Sequence, residues 1–338
     1  MPPIFSIIIP GYNRVEPLKY TLRSTVEAAA RLPEGAVEII LVDDGSVPPL
    51  SEQLSDFDPG HPVLHLRQSN QGSIASRLAG LAIAQGDYVL FLDSDDLICP
   101  EKLTQHGETA RREIADVSYD DMAIATLHSD WTIQYRPGSQ LPECSDPAVF
   151  FLRIQPVPHN PIYRRTYLQR SLQSLIVPAD RSFDASGDVW LYYNLAVHPA
   201  KIAKVKAALT AVGPHEENRY SSHWEELCLA SLRLSEAFFK NCPPTSATLP
   251  ARITAGESAF ESWRRLPYDL DPRISARILN LWKRAPKRRD ARLGGKKFSA
   301  LARWVSPVIA GRILKRFSGK TYAACRTMSE DQLHKLLS

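Results

Sequence analysis

The sequence predicts an α/β protein: a mostly parallel central sheet with helices on both faces, followed by a helical C-terminal region. Three observations carry this. Short, almost wholly apolar runs recur along the first hundred residues, each stopped by a polar turn. Helix-like stretches rich in Leu, Ala and Glu alternate with those runs. Beyond the last strand-like run, at 202–212, the chain is helix-prone and becomes basic. Strand–helix alternation at this pace implies a parallel sheet covered by helices.

The elements follow in order. Residues 4–9 form the first apolar run, stopped by Pro10-Gly11, and read as a buried strand. Residues 16–30 read as a helix, and 37–42 as a second buried strand ended by Asp43-Asp44-Gly45-Ser46. Residues 63–66 read as a third buried strand, and 73–84 as a helix closed by Gly86-Asp87. Residues 88–92 read as a fourth strand, ended by Asp93-Ser94-Asp95-Asp96, before a helix over 101–112. After Asp116 the rhythm changes. Residues 122–127 and 131–135 read as a hairpin around His128-Ser129-Asp130, and a proline-rich segment fills 155–161. A helix over 188–197, a strand over 202–212 and helices over 225–240 and 251–265 complete the pattern. The expected division is one domain over 1–222, with halves 1–115 and 116–222, and a helical, basic region over 223–338.

Composition bounds the function. At 338 residues the chain has room for about two domains of ~150 residues. Hydrophobic residues at 44% and charged residues at 23% can fill and solvate an ordinary core. No run reaches the ~18 apolar residues of a membrane span. Met1 to Ile7 has no basic region ahead of an apolar stretch, so no secretory signal is expected. Five widely spaced cysteines give neither a zinc pattern nor a disulfide framework, and a reducing cytoplasm is the expected compartment. The formal charge of +4 conceals an asymmetry. Residues 281–338 hold 15 Lys and Arg against 3 Asp and Glu, net +12, which leaves −8 on the first 280 residues. A basic tail on an acidic body suggests contact with phosphate.

In parallel sheets ligands bind beyond the carboxyl ends of the strands. Three strands here end in polar clusters: Pro10 to Arg14, Asp43 to Ser46, and Asp93 to Asp96. Each alone is ordinary turn and cap chemistry. Converging on one sheet edge, they read as a site. Asp93, Asp95 and Asp96 would repel one another unless a cation sat among them, and their hard oxygens suit Mg²⁺ or Mn²⁺ beside a substrate phosphate. A Walker ATPase is excluded: in the stretch ending Gly319-Lys320-Thr321, Leu314 stands where the first glycine is needed. The dinucleotide fingerprint Gly-x-Gly-x-x-Gly is absent too.

Four motifs in this order resemble family-2 glycosyltransferases with the GT-A (Rossmann-like) fold: Ile7-Ile8-Ile9-Pro10-Gly11-Tyr12-Asn13, Leu41-Val42-Asp43-Asp44-Gly45-Ser46, Asn70-Gln71-Gly72-Ser73 through Arg77, and Phe91-Leu92-Asp93-Ser94-Asp95-Asp96. The likeness covers roughly the first 110 residues. It implies an inverting transfer of sugar from a nucleotide-diphosphate donor, expected to be a UDP-sugar, to an acceptor hydroxyl. By family habit alone the acceptor implied is a surface polysaccharide or lipid-linked glycan. Pro10, Tyr12, Asn13, Asp44, Asn70, Arg77, Asp93, Ser94 and Arg219 would hold the nucleotide-sugar, and Asp95 with His215 would hold Mn²⁺ or Mg²⁺. The family's Glu-Asp pair, which carries the general base, aligns with Gly187-Asp188. Asp188 is therefore the expected base, although it also fits a helix cap, and Gly187 departs from the pattern. Asp184 is the reserve. His159 and Asn160 are expected to be structural or to position substrate. The chain has neither the Gln-x-x-Arg-Trp motif nor the membrane spans of the processive synthases, which favours transfer of single sugars.

Two rival readings stand beside this one. A nucleotidyltransferase would need a glycine-rich basic loop after the first strand, which Pro10-Gly11-Tyr12-Asn13 is not. A catalytically silent relative serving as a membrane-associated binding module is opposed by the intact Asp93/Asp95 pair and left open by Gly187. In the tail, Trp304, Val305, Val308, Ile309, Ile313, Leu314 and Phe317 mix with Arg312, Lys315 and Arg316. Either this region lies on an anionic membrane, making the protein peripheral on the inner face of the plasma membrane, or it packs on its own domain with a solvated basic face. No nucleic-acid-reading motif accompanies the charge.

Overall fold

The computed structural model describes residues 2–214, 224–288, 291, 293–324, 326 and 332. It divides into two compact units, Met1–Glu217 and Asn218–Ser338.

The first unit runs β1 (Phe5–Gly11), α1 (Val15–Ala29), β2 (Val37–Asp43), α2 (Leu50–Gln53), β3 (Val63–Arg67), α3 (Ser73–Ile83), β4 (Tyr88–Phe91), β5 (Leu97–Ile98), α4 (Lys102–Glu113), β6 (Val117–Leu127), β7 (Ile133–Pro137). It continues through α5 (Pro147–Val149), β8 (Ile162–Arg164), α6 (Arg165–Leu172), α7 (Gly187–Leu195) and β9 (Ile202–Ala211). The strands form one sheet in the order β3-β2-β1-β4-β8-β6-β9-β5, with β7 paired to β6. The β3-β2-β1-β4 part is parallel, as is β6 with β9, while β8 joins the two parts by antiparallel pairing. Ile7, Ile9 and Leu41 pack with Leu18 and Leu22 of α1. Ile8 and Val42 instead close on Gly80 of α3, so helices cover both faces. Strands buried on both sides are why β1 and β2 read as unbroken apolar runs.

Three expectations are corrected. Residues 63–66 are not a buried strand: β3 is an edge strand, and Leu64 is 51% exposed. β1 does not stop at Ile9 but continues through Pro10 and Gly11, opposite Val42 and Asp43. Pro10 is tolerated because β4 pairs only as far as Ile8, so its missing N–H falls where no neighbour needs it. β6 begins at Val117 rather than 122; its first half is disguised by Ser118, Asp120 and Asp121, all buried.

The second unit is helical: α8 (Trp224–Asn241), α9 (Leu249–Arg265), α10 (Pro272–Arg284), α11 (Lys296–Leu301) and α12 (Pro307–Phe317). Its centre is aromatic. The Phe260 ring lies 5.4 Å from Trp263, 4.4 Å from Trp282 and 5.9 Å from Phe298. Among the described residues no helix is long and apolar enough to cross a membrane.

Candidate active site

The carboxyl ends of β1, β2 and β4 lie side by side because these strands are in parallel register. The Asp44 N–H donates to the Gly11 carbonyl at 2.9 Å, tying the end of β2 to that of β1. Asp44 itself is buried. One of its oxygens accepts from the Gln71 N–H and the Gln68 amide, both at 2.8 Å, and the other from the Gly72 N–H at 2.8 Å. Its carboxylate thus organises the 68–72 loop. Asn13 is exposed; its side-chain oxygen accepts from the Val47 N–H at 3.0 Å, while its own N–H donates to Ser46 Oγ at 2.9 Å. Tyr12, beside Asn13, is 49% exposed and offers an aromatic side chain to a planar ligand. Asn70 is gripped by Arg181, which donates to its backbone carbonyl at 2.9 Å and also to its side-chain oxygen.

The three carboxylates after β4 do not share a cation; each has its own. Asp93 accepts from Arg77 at 2.6 Å, Asp95 pairs with Arg14, and Asp96 lies 3.0 Å from His159. Two arginines and a histidine of the chain itself thus stand beside this cluster. The sequence places Arg14 in the Pro10–Arg14 cluster but assigns it no role, although its position directly after the turn is a usable signal. His159 is fully buried. Burial alone would lower its pKa, but Asp96 beside it raises it. Its Nε2 meets the Ala211 carbonyl at 3.0 Å, and Asp96 accepts from the Gly213 N–H at 3.0 Å. His159 and Asp96 thereby fasten the end of β9 to the end of β4. Ser94 is buried between the paired aspartates.

α7 brings the fourth carboxylate. Asp188 stands in its first turn, half-buried. Burial raises its pKa, Arg77 works against that rise, and Asp93 adds to it. Arg77 is therefore a shared counterion: burial opposes its charge, while Asp93 first and Asp188 second outweigh that and hold it ionised. Gly187 explains itself here. A Cβ at this position would sit 2.8 Å from Ser73 Oγ and 2.9 Å from Arg77 Nη1, so a glutamate would displace the guanidinium. Asp184, the reserve base, is otherwise engaged. It accepts from the Ile74 N–H at 3.1 Å and Ser73 Oγ at 3.4 Å, at the start of α3. It rests so closely over Gly72 (φ +97°) that no side chain fits there. His215 and Arg219 lie outside the described residues.

Asn160 belongs to a separate, fully buried cluster. Asp120 meets the Lys102 ammonium, His106 Nε2 at 2.9 Å and the Thr210 hydroxyl at 2.8 Å, and the Asn160 amide donates to the Asp120 carbonyl at 2.9 Å. Burial would raise the Asp120 carboxyl, but Lys102 and His106 hold it low.

The sequence model of the family described as glycosyl transferase family 2 matches residues 6–176, just over half the chain. The chain belongs to that family. EpsH of Bacillus subtilis, assigned as a glycosyltransferase, is 26% identical over 300 residues, 85% of this chain and 80% of that one. YibD of Escherichia coli, an uncharacterized glycosyltransferase, is 31% identical over 127 residues, which are 37% of this chain and 34% of YibD. Residues 1–349 of TarS from S. aureus share the fold at TM-score 0.57 and 19% identity, with 82% of this chain and 78% of that chain covered. So does the mannosyltransferase PcManGT from Pyrobaculum calidifontis in complex with GDP-Man and Mn²⁺, at TM-score 0.52 and 13% identity, covering 95% and 89%. TarS 1–349 has also been solved with UDP-GlcNAc. The protein is a glycosyltransferase of GT-A fold.

Proposed function

We propose that the protein moves one sugar from a UDP-sugar to a glycan or lipid-linked acceptor hydroxyl, inverting the anomeric carbon, with Asp188 as general base. The observation that carries this is the arrangement of Asp93, Arg77 and Asp188 beyond the end of β4. A carboxylate whose pKa is raised by burial is a better proton acceptor than an ordinary one, and Arg77 keeps it ionised in the resting site. The solved complexes of TarS with UDP-GlcNAc and of PcManGT with GDP-Man support a nucleotide-sugar as donor.

Pro10, Tyr12 and Asn13 would line the nucleotide, with Tyr12 under the base. Arg77 and Asp93 would orient the ribose and diphosphate side. Among the described residues no three His, Cys, Asp or Glu side chains are grouped to hold a metal. Yet Asp95, a partly exposed hard-oxygen donor, fits the mode in which Mg²⁺ or Mn²⁺ takes one or two protein ligands and completes its shell with phosphate oxygens. Asp95, with His215 from the segment after β9, would hold it. When bound, such an ion neutralises the charge growing on the departing nucleoside diphosphate. Asp188 takes the acceptor proton, Arg77 holds the donor-side carboxylate in place, and Asp96 with His159 fixes the loop that carries Asp95. Calorimetric titration of UDP-, GDP- and dTDP-sugars with Mn²⁺ tests the donor reading. Saturable binding of a UDP-sugar that chelation of the metal abolishes is the expected result. Binding of none of the donors would refute it.

A further inference from the structure

The outer face of α12 takes no part in the transfer chemistry. Inward, this helix is fully occupied: Ala310, Gly311 and Lys315 are buried, and the Lys315 ammonium sits 4.9 Å from the centre of the Trp263 ring on α9. Burial pushes the Lys315 pKa down to about 8, so it belongs to the packing rather than to the surface charge. Outward, Ile309, Ile313 and Phe317 recur at four-residue spacing and therefore stand in one row along the helix. They are 48%, 36% and 84% exposed. Arg312 and Arg316, both exposed, form the row beside them, and Arg316 leans over Tyr268, 5.8 Å from its ring centre. Just before the helix, Trp304 is 88% exposed next to exposed Arg303. Single exposed apolar residues are ordinary; a bare phenyl and two isoleucines in one row of a short helix, with a bare indole just ahead of it, are not.

We infer that this face docks the protein on an anionic phospholipid bilayer. The charge pattern selects the occupant. Between Asp290 and Glu330 the chain has nine Lys and Arg and no acidic residue. Of these, Lys296, Lys297, Arg303, Arg312, Arg316 and Lys320 are exposed. A stretch of chain without one carboxylate, with exposed Asp269 beside it engaged by the Tyr322 N–H, complements a continuous negative plane, whereas a protein partner would call for mixed signs. Nucleic acid would match the charge but leave the Ile309–Ile313–Phe317 row without a role. A bilayer interface uses both: indole and phenyl rings enter the headgroup region while arginines stay at phosphate level. The inference concerns the second unit alone and stands whether or not the donor reading holds.

The test is co-sedimentation of the full chain with vesicles of phosphatidylcholine and phosphatidylglycerol at 3:1, against phosphatidylcholine alone. Binding to the anionic vesicles only, at low salt, is expected. Each Lys or Arg near such a surface contributes about fivefold in partitioning, so Arg312→Glu with Arg316→Glu should weaken it by roughly 25-fold or more. The pair Trp304→Ser and Phe317→Ser should remove the part of the binding that survives roughly 0.5 M salt, where the Debye length is only a few ångströms. All four side chains are exposed, so thermal unfolding should match the wild type. Failure of the wild-type chain to sediment with anionic vesicles at low salt overturns the inference without recourse to any variant. Unchanged binding in both double variants overturns it too, as does a DNA duplex bound more tightly than the vesicles.

Discussion

Asp120 is fully buried and Asp188 half-buried, and the two carboxylates are treated in opposite ways. Asp120 is enclosed by donors: Lys102, His106, Thr210 and the Leu209 N–H all point at one carboxylate, whose pKa is held low despite its burial. Asp188 must share Arg77 with Asp93, and its pKa is raised. An oversupplied carboxylate has no reason to accept a proton, so it serves as structure. An undersupplied one is poised to accept. On the proposed mechanism, burial alone does not separate the proton-accepting carboxylate from the structural one; the charges and donors around each do.

The sharpest way to break this comparison is Asp188→Asn. Turnover should fall by about 10²–10⁴-fold while donor affinity, read by calorimetry, is retained. Because the fold disfavours the charged form of Asp188, the neutral variant should be no less stable than the wild type, which a denaturant titration checks. Full turnover would remove Asp188 from its role. The converse substitution is Lys102→Met. It leaves the buried Asp120 without its ammonium, and breaking such a pair costs about 3–5 kcal/mol, so the unfolding midpoint should drop steeply.

A pH series sharpens the contrast further. A base must be ionised to act, so turnover should be full above the raised pKa of Asp188 and lost as pH falls through it. The acid limb of kcat should therefore lie above the ordinary carboxylate value of 3.8, and vanish from the residual activity of Asp188→Asn. The smallest effect is expected at Arg14. Arg14→Ala frees Asp95 from a partly exposed ion pair worth no more than about 1 kcal/mol, so Mn²⁺ titrated without donor should bind up to roughly fivefold tighter. Weaker binding in that variant would show that Arg14 supports the metal site rather than competing with it.

Much of this was legible in the chain. β1, β2 and β4 announce themselves because both faces are buried, and the polar clusters at their ends mark the sheet edge where ligands bind. What stayed hidden was hidden for physical reasons. The first half of β6 carries Ser118, Asp120 and Asp121, whose compensating partners come from the neighbouring helix α4 and from β9, some eighty residues on, outside any strand period. β8 is three residues long and leaves no period to read. The Arg14–Asp95 and His159–Asp96 pairs are 81 and 63 positions apart, so no local pattern links them. Gly187 looked like a lost glutamate; only the packing of Ser73 and Arg77 around it shows that a larger residue would have to push their side-chain ends aside.

Arg77 has a consequence for timing. At rest its single positive charge is divided between two carboxylates. On the proposed mechanism, the acceptor proton arrives on Asp188 as the bond to the nucleoside diphosphate breaks. Asp188 then ceases to claim the guanidinium, and Arg77's field falls on the Asp93 side alone, where negative charge is accumulating. One buried side chain would thus act as a balance beam, passing electrostatic support from the accepting end of the reaction to the departing end without moving an atom of the backbone.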